Sequence, residues 1–112
     1  MNNQYKKGVV ELCILSLLSR GDSYGYDVSD ILTRHMDLSE GAVYPILRKL
    51  KDDGLVSTYL SEASGGPPRK YYTLTKTGRQ VYEIEKKDWL EFARTIEKIL
   101  EGDEYGPNHI SQ

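Results

Sequence analysis

The sequence predicts an α+β chain of three helices, a two-stranded hairpin and one long closing helix. Three observations carry this expectation. Apolar residues recur at helical spacing through the first half of the chain. Two short runs rich in β-branched and aromatic residues then flank a Gly- and Pro-rich loop, and helical spacing resumes after Thr75. A chain of 112 residues suffices for one modest core, so the two strands, marginal alone, need the helices to cover them.

Taken in order, residues 5–19 read as a helix that is apolar on nearly all sides from Val9 to Leu18, hence largely buried. Gly21-Asp22-Ser23 breaks it, and Ser23 is the expected N-cap of a second helix from Tyr24 to His35. Tyr24, Val28, Ile31 and Leu32 form the apolar stripe of that helix. After a turn at Met36-Asp37-Leu38, a third helix is expected from Ser39, its cap, to Asp53. Val43, Ile46, Leu47 and Leu50 lie on its inner face, and Gly54 suits a left-handed end. Pro45 cannot donate to the Gly41 carbonyl, so the first turn is expected to be irregular. Strands are expected at Leu55–Leu60 and Lys70–Leu74 around the loop Ser61–Arg69. Thr75 caps the last helix, from Lys76 to Leu100. Three regions follow from this: 1–75 as a winged helix-turn-helix, 76–100 as a dimerisation helix, and 101–112 as a flexible acidic tail.

Composition narrows the function. No apolar run approaches the roughly 18–20 residues needed to span a bilayer. The amino-terminal stretch lacks a small-residue cleavage site and leads straight into another helical pattern, which points to a core helix and a cytoplasmic protein with no membrane partner. Cys13 is the only cysteine, so the chain has no internal disulfide and no thiolate cluster for zinc. The formal net charge is −2, yet the charge is unevenly placed. Residues 1–39 carry a net −1, residues 40–80 a net +3 and residues 81–112 a net −4. A phosphate-binding surface therefore belongs in the middle segment.

Two short helices joined by a tight turn and followed by a basic-tipped hairpin make a winged helix-turn-helix, in which the later helix enters the major groove of DNA. Opposite Val43, the third helix presents Gly41, Tyr44, Pro45 and Arg48, flanked by Lys49 and Asp52. Gly41 and Ala42 leave room for close approach to DNA. Tyr44 suits a phosphate or a thymine methyl, and Arg48 a phosphate or guanine. Gly65-Gly66-Pro67-Pro68-Arg69-Lys70 makes a stiff tip ending in two positive charges, suited to a minor groove or phosphate track. On the last helix, Trp89, Phe92, Ile96 and Ile99 are spaced 3, 4, 3, with Ala93 and Leu100 alongside. That seam is expected to meet the same seam, or the first helix around Leu12, of a second copy. Trp89 is either an anchor of that interface or the wall of a cavity that stacks on a flat ligand.

The stretches YGYDVSDIL, LSEGAVYPILRKLKDDGLV and GGPPRKYYTLTKTG, with the Trp89-bearing terminal helix, resemble the PadR family of bacterial transcription regulators over residues 5–100. The single short terminal helix is similar to the small subfamily, which includes a lactococcal multidrug-sensing repressor. The resemblance implies a repressor that dimerises through its first and last helices and reads a pseudo-palindromic operator in double-stranded DNA. It places Ser39, Gly41 and Tyr44 in the major groove and Gly66, Arg69 and Lys70 at the wing contact. It also places Trp89 where the multidrug-sensing member lines a pore between subunits, which implies a planar aromatic small molecule as a further partner. Here the following turn carries Leu90 and Ala93 instead of an acidic side chain.

Other features indicate no further chemistry. His35 and His109 are isolated, without a second ligand at metal spacing, and neither metal nor other cofactor is indicated. Asp22, Asp27 and Asp30 lie at or near a helix start, where carboxylates favour the dipole. Gly65-Gly66 is followed by no Lys-Ser/Thr and helix, so it is no phosphate loop. Tyr59, Tyr71 and Tyr72 read as packing in the hairpin. No catalytic constellation supports an enzyme. The competing function is a winged-helix protein-interaction module without a DNA target.

Overall fold

The computed structural model describes residues 3–62 and 65–102. Its elements are α1 (Asn3–Ser19), β1 (Ser23–Tyr24), α2 (Gly25–Met36), a 3-10 turn (Glu40–Ala42), α3 (Val43–Asp52), β2 (Val56–Ser61), β3 (Arg69–Leu74) and α4 (Lys76–Glu101). The chain divides into two compact units, residues 1–82 and the part from residue 83 onward. The tail expected over 101–112 lies outside the described residues from 103; Glu101 is still helical, and Gly102, at φ 77°, ends α4.

The first unit has its core where the apolar spacing points. Val10, Ile14, Leu15 and Leu18 of α1 are buried with Val28 and Leu32 of α2 and Val43, Leu47 and Leu50 of α3. Val56, Tyr72 and Tyr82 complete the cluster. Leu12, Cys13 and Leu17 sit half-buried against it, and burial pushes the Cys13 thiol pKa up.

The expected two-stranded hairpin is a three-stranded sheet, in the order β1-β3-β2. Both pairings are antiparallel: Ser23 and Tyr24 face Tyr72 and Tyr71, and β2 pairs along β3 from Val56↔Leu74 to Ser61↔Arg69. Ser23 and Tyr24 are therefore strand residues. α2 starts at Gly25, with Tyr24 as a cap residue that makes no side-chain cap bond. Local N-cap preference pointed to Ser23, but its backbone is committed to β3. A Cβ at Gly25 would come 3.0 Å from the Tyr72 ring, so any side chain at this first turn of α2 would have to displace that buried ring.

The entry to α3 is irregular, as Pro45 requires. A 3-10 turn closed by Ala42 N–H donating to the Ser39 carbonyl (3.0 Å) precedes it. The helix then starts at Val43, so Pro45 occupies its third position, where the missing N–H has no intrahelical acceptor in any case. Ser39 makes no side-chain cap bond, contrary to its expected role. The other end of α3 is a Schellman motif: Leu55 N–H donates to Leu50 O and Gly54 N–H to Lys51 O, both at 3.0 Å, with Gly54 left-handed at φ 77°.

Thr75 joins this motif to α4. Its Oγ1 accepts from Gly78 N–H (2.9 Å) as an N-cap and donates to the Gly54 carbonyl (2.7 Å). Its N–H donates to Leu55 O (3.1 Å). Gly78 is buried against the same Leu55 peptide, leaving no space for a Cβ.

Candidate nucleic-acid interface

α3 is sharply two-sided. Val43, Leu47 and Leu50 are wholly buried, and Ile46 is half-buried beside them. The opposite side presents Gly41, Tyr44, Pro45 and Arg48 to solvent, with Ser39 exposed before it and Ala42 half-buried. A Cβ at Gly41 would meet nothing within 4 Å, so the start of the helix offers bare backbone for close approach. Tyr44 is 39% exposed, and its ring edge lies 3.7 Å from where a Cβ at Gly25 would stand, so one side of the ring backs onto α2. Burial raises the Tyr72 phenol pKa, partly offset by the charge of Arg48.

The two adjacent basic residues of α3 differ in their surroundings. The Lys49 ammonium bridges Asp53 (2.9 Å) and Glu11 (3.5 Å). These carboxylates, Asp53 first, raise its pKa. The Lys49 charge is thus engaged with α1 and with the end of α3.

At the hairpin, Gly66, Pro67, Pro68, Arg69 and Lys70 are all exposed. Gly65 takes φ 77° and donates to the Glu62 carbonyl at 2.9 Å, turning the chain toward β3. The Lys70 ammonium makes no ion pair or side-chain hydrogen bond among the described residues.

Sequence reasoning missed a row of tyrosines beneath this tip. The sheet register puts Tyr24, Tyr71 and Tyr59 directly across from one another on β1, β3 and β2. Tyr59 and Tyr71 stack at 5.8 Å between centroids, Tyr71 and Tyr24 meet at 6.0 Å, and Tyr26 continues the row 6.2 Å beyond Tyr24. The Arg69 guanidinium lies over the Tyr24 ring, 5.0 Å from its centroid. At the far end the Tyr59 hydroxyl donates to Asp22 Oδ2 (2.7 Å). Hydrogen bonds from Thr73 and Tyr59 hold the Asp22 carboxyl below its ordinary pKa. Asp22 thus braces the sheet and is not a helix-start carboxylate. The signal was present in the alternation of Arg69, Tyr71 and Thr73 on one strand face, but it is meaningful only once β1 is known.

The second unit is described by itself. Along α4, Trp89 (41% exposed), Phe92 (55%), Ile96 and Ile99 stand in solvent with Ala93 half-buried beside them. The Trp89 and Phe92 rings are tilted at 6.3 Å. Trp89, Phe92, Ala93, Ile96, Glu97 and Leu100 line a shallow, almost wholly apolar groove of about 270 Å³. Among the described residues no helix is long and apolar enough to cross a membrane.

Residues 14–84 match the transcriptional regulator PadR-like family. The fold is shared with a PadR-like transcriptional regulator from Bacillus cereus, at a TM-score of 0.82 and 37% identity over 90% of this chain and 100% of that one. The negative transcriptional regulator PadR of Bacillus subtilis is 31% identical over 86 residues, 73% of this chain and 45% of that protein. The transcriptional regulator YqjI of Escherichia coli is 32% identical over 84% of this chain and 42% of its own length. This chain thus spans less than half the length of these two longer relatives. With its family match, its winged-helix architecture and its long last helix, the chain belongs to the PadR-like family of transcriptional regulators.

Proposed function

We propose that this regulator is a DNA-binding repressor that acts as a homodimer, with α3 in the major groove and the wing tip on the flanking phosphates or minor groove. The face of Gly41, Tyr44, Pro45 and Arg48, exposed opposite a wholly buried stripe, carries this reading. Ser39, Ala42 and Lys49 border the same face, and Gly66, Arg69 and Lys70 supply the wing contact. Repression is supported by the negative regulator of Bacillus subtilis among the relatives.

Residues 1–75 serve DNA binding and α4 serves dimerisation. An exposed stripe of Trp89, Phe92, Ala93, Ile96 and Ile99 on one helix supports a contact with a second copy, to which Leu12 of α1 is the expected complement. The apolar groove beside Trp89 and Phe92 supports a planar aromatic effector that binds there and releases the operator, as in the multidrug-sensing subfamily. Regulation of this kind belongs in the cytoplasm.

Fluorescence anisotropy with the duplex upstream of the protein's own gene, at two salt concentrations and against unrelated competitor DNA, tests the central claim. Competitor-resistant binding that weakens steeply with salt is expected. Failure with that duplex and with a genomic selection would reject the DNA target and favour a protein-interaction module. Titration of the dimer with planar aromatic compounds should quench Trp89, the only tryptophan. Unchanged fluorescence across such a series would leave the stripe to dimerisation alone.

A further inference from the structure

We infer that Tyr24 is a positioning residue for DNA binding: its ring holds the Arg69 guanidinium at the wing in the orientation the duplex requires. The inference rests on the proposed wing contact and adds to it a residue remote from the wing in sequence.

Arginines at loop tips carry many rotamers, and ordering one on a phosphate weakens binding unless it is ordered beforehand. Arg69 is the first residue of β3, so its backbone is fixed by its pairing with Ser61. Its guanidinium lies 5.0 Å from the centroid of Tyr24, within the range at which a cation is attracted to an aromatic face. Among the described residues the Arg69 guanidinium makes no side-chain hydrogen bond or ion pair, so its N–H donors remain available to a phosphate or a groove edge.

The ring is itself anchored. Tyr24 sits on β1 directly opposite Tyr71, and Tyr71 stacks on Tyr59. The Tyr59 hydroxyl donates to Asp22, two residues before Tyr24. The row closes on itself from β2 back to the segment that enters β1. Two residues make a very short strand, and this ring row gives it a purpose: it brings an aromatic face beneath a basic residue of the wing.

The test is a double-mutant cycle between Tyr24→Leu and Arg69→Ala, with Tyr24→Phe as the conservative variant. Affinity is read by anisotropy on the duplex selected above, and folding by far-ultraviolet circular dichroism. Tyr24→Phe should bind as the native protein does, because the aromatic face remains. Tyr24→Leu should weaken binding about two- to five-fold per wing, the range of an exposed cation–π contact. Once Arg69 is alanine, Tyr24→Leu should have no further effect. Native-like affinity in Tyr24→Leu while Arg69→Ala is impaired, or losses that multiply in the double variant, would overturn the inference. A native-like Arg69→Ala would instead reject the wing contact, and the inference with it. A readout free of DNA separates the two: in the unbound native protein the Arg69 side-chain protons should be shifted upfield by the ring. Their ordinary position in the native NMR spectrum would overturn the inference even where the wing contact stands. The same spectrum decides if Tyr24→Leu fails to fold.

Discussion

Gly78→Ala is expected to destabilise the protein far more than a one-methyl change in a helix normally does. An added Cβ would overlap the Leu55 carbonyl oxygen, lying 2.8 Å from its carbon and 2.9 Å from Leu74 Cδ1. Backbone stands on one side and a β3 side chain on the other, so α4 has to move away from the Leu55 peptide. Overpacking of this kind costs about 1–3 kcal/mol. The shift also strains the Thr75 cap on Gly78 N–H, worth about 1 kcal/mol. Alanine's better helix propensity returns about 1 kcal/mol. The net is about 1–3 kcal/mol, or a melting temperature lower by roughly 5–15 °C for a chain of this size. Thermal unfolding followed by circular dichroism, at one protein concentration for both variants because a dimer's melting point depends on it, is the assay. A shift under about 2 °C would refute the claim that α4 needs a glycine to approach the end of α3.

Gly41→Leu should leave the melting temperature unchanged, since a Cβ there meets nothing within 4 Å, yet weaken operator binding by blocking approach to the duplex in an anisotropy titration. Leu47→Ala should cost about 2–5 kcal/mol in urea unfolding, because Leu47 is wholly buried. Phe92→Glu should shift the protein toward monomer in sedimentation at micromolar concentration with its circular dichroism intact, and an unchanged dimer would exclude this stripe as the interface. Asp22 has a depressed native pKa, so its stabilising effect is complete above the ordinary aspartate value and is lost as pH falls through the lower native value. The difference in melting temperature between the native protein and Asp22→Asn should therefore be present at neutral pH and vanish in acid.

What was legible in the sequence is what local chemistry decides. The spacing of Val43, Leu47 and Leu50 defines an inner face without knowledge of any partner, and the outer face follows by geometry. Gly54 and Thr75 were readable because helix ends are set by one or two residues with special backbone or side-chain preferences. Ser23 and Ser39 have the same N-cap preference, and neither caps a helix here. At Ser23 the strand pairing prevails; at Ser39 the backbone carbonyl closes the 3-10 turn without a side-chain cap. A two-residue strand has no period to detect, so β1 was invisible, and with it the alignment of Tyr24, Tyr71 and Tyr59. Four residues before Val28 is a valid helical spacing as well, so the pattern alone places Tyr24 on the stripe of α2.

Charge counting along the chain also needed the structure. The net +3 of residues 40–80 indicates where a phosphate surface lies but not how strong it is. Lys49 is already bridged to Asp53 and Glu11, and releases few counterions if those pairs persist on DNA. Arg48, Arg69 and Lys70 are exposed on the two proposed contact surfaces. Three such residues per chain, doubled in a dimer, give a slope of log affinity against log salt of about −5 and roughly a thousand-fold loss between 50 and 200 mM salt. If Lys49 abandoned its carboxylates for phosphate, the slope would steepen by nearly two. Comparing the native slope with that of Lys49→Met therefore shows whether the ion pairs hold in the complex: equal slopes mean that Lys49 belongs to the junction of α3 and α1, and a shallower slope in the variant assigns it to the DNA contact. An acidic protein can grip a polyanion in this way where exposed cations are gathered locally, as Arg48 on one helix face and Arg69 and Lys70 at one hairpin tip are, within a Debye length of the phosphates they are proposed to meet.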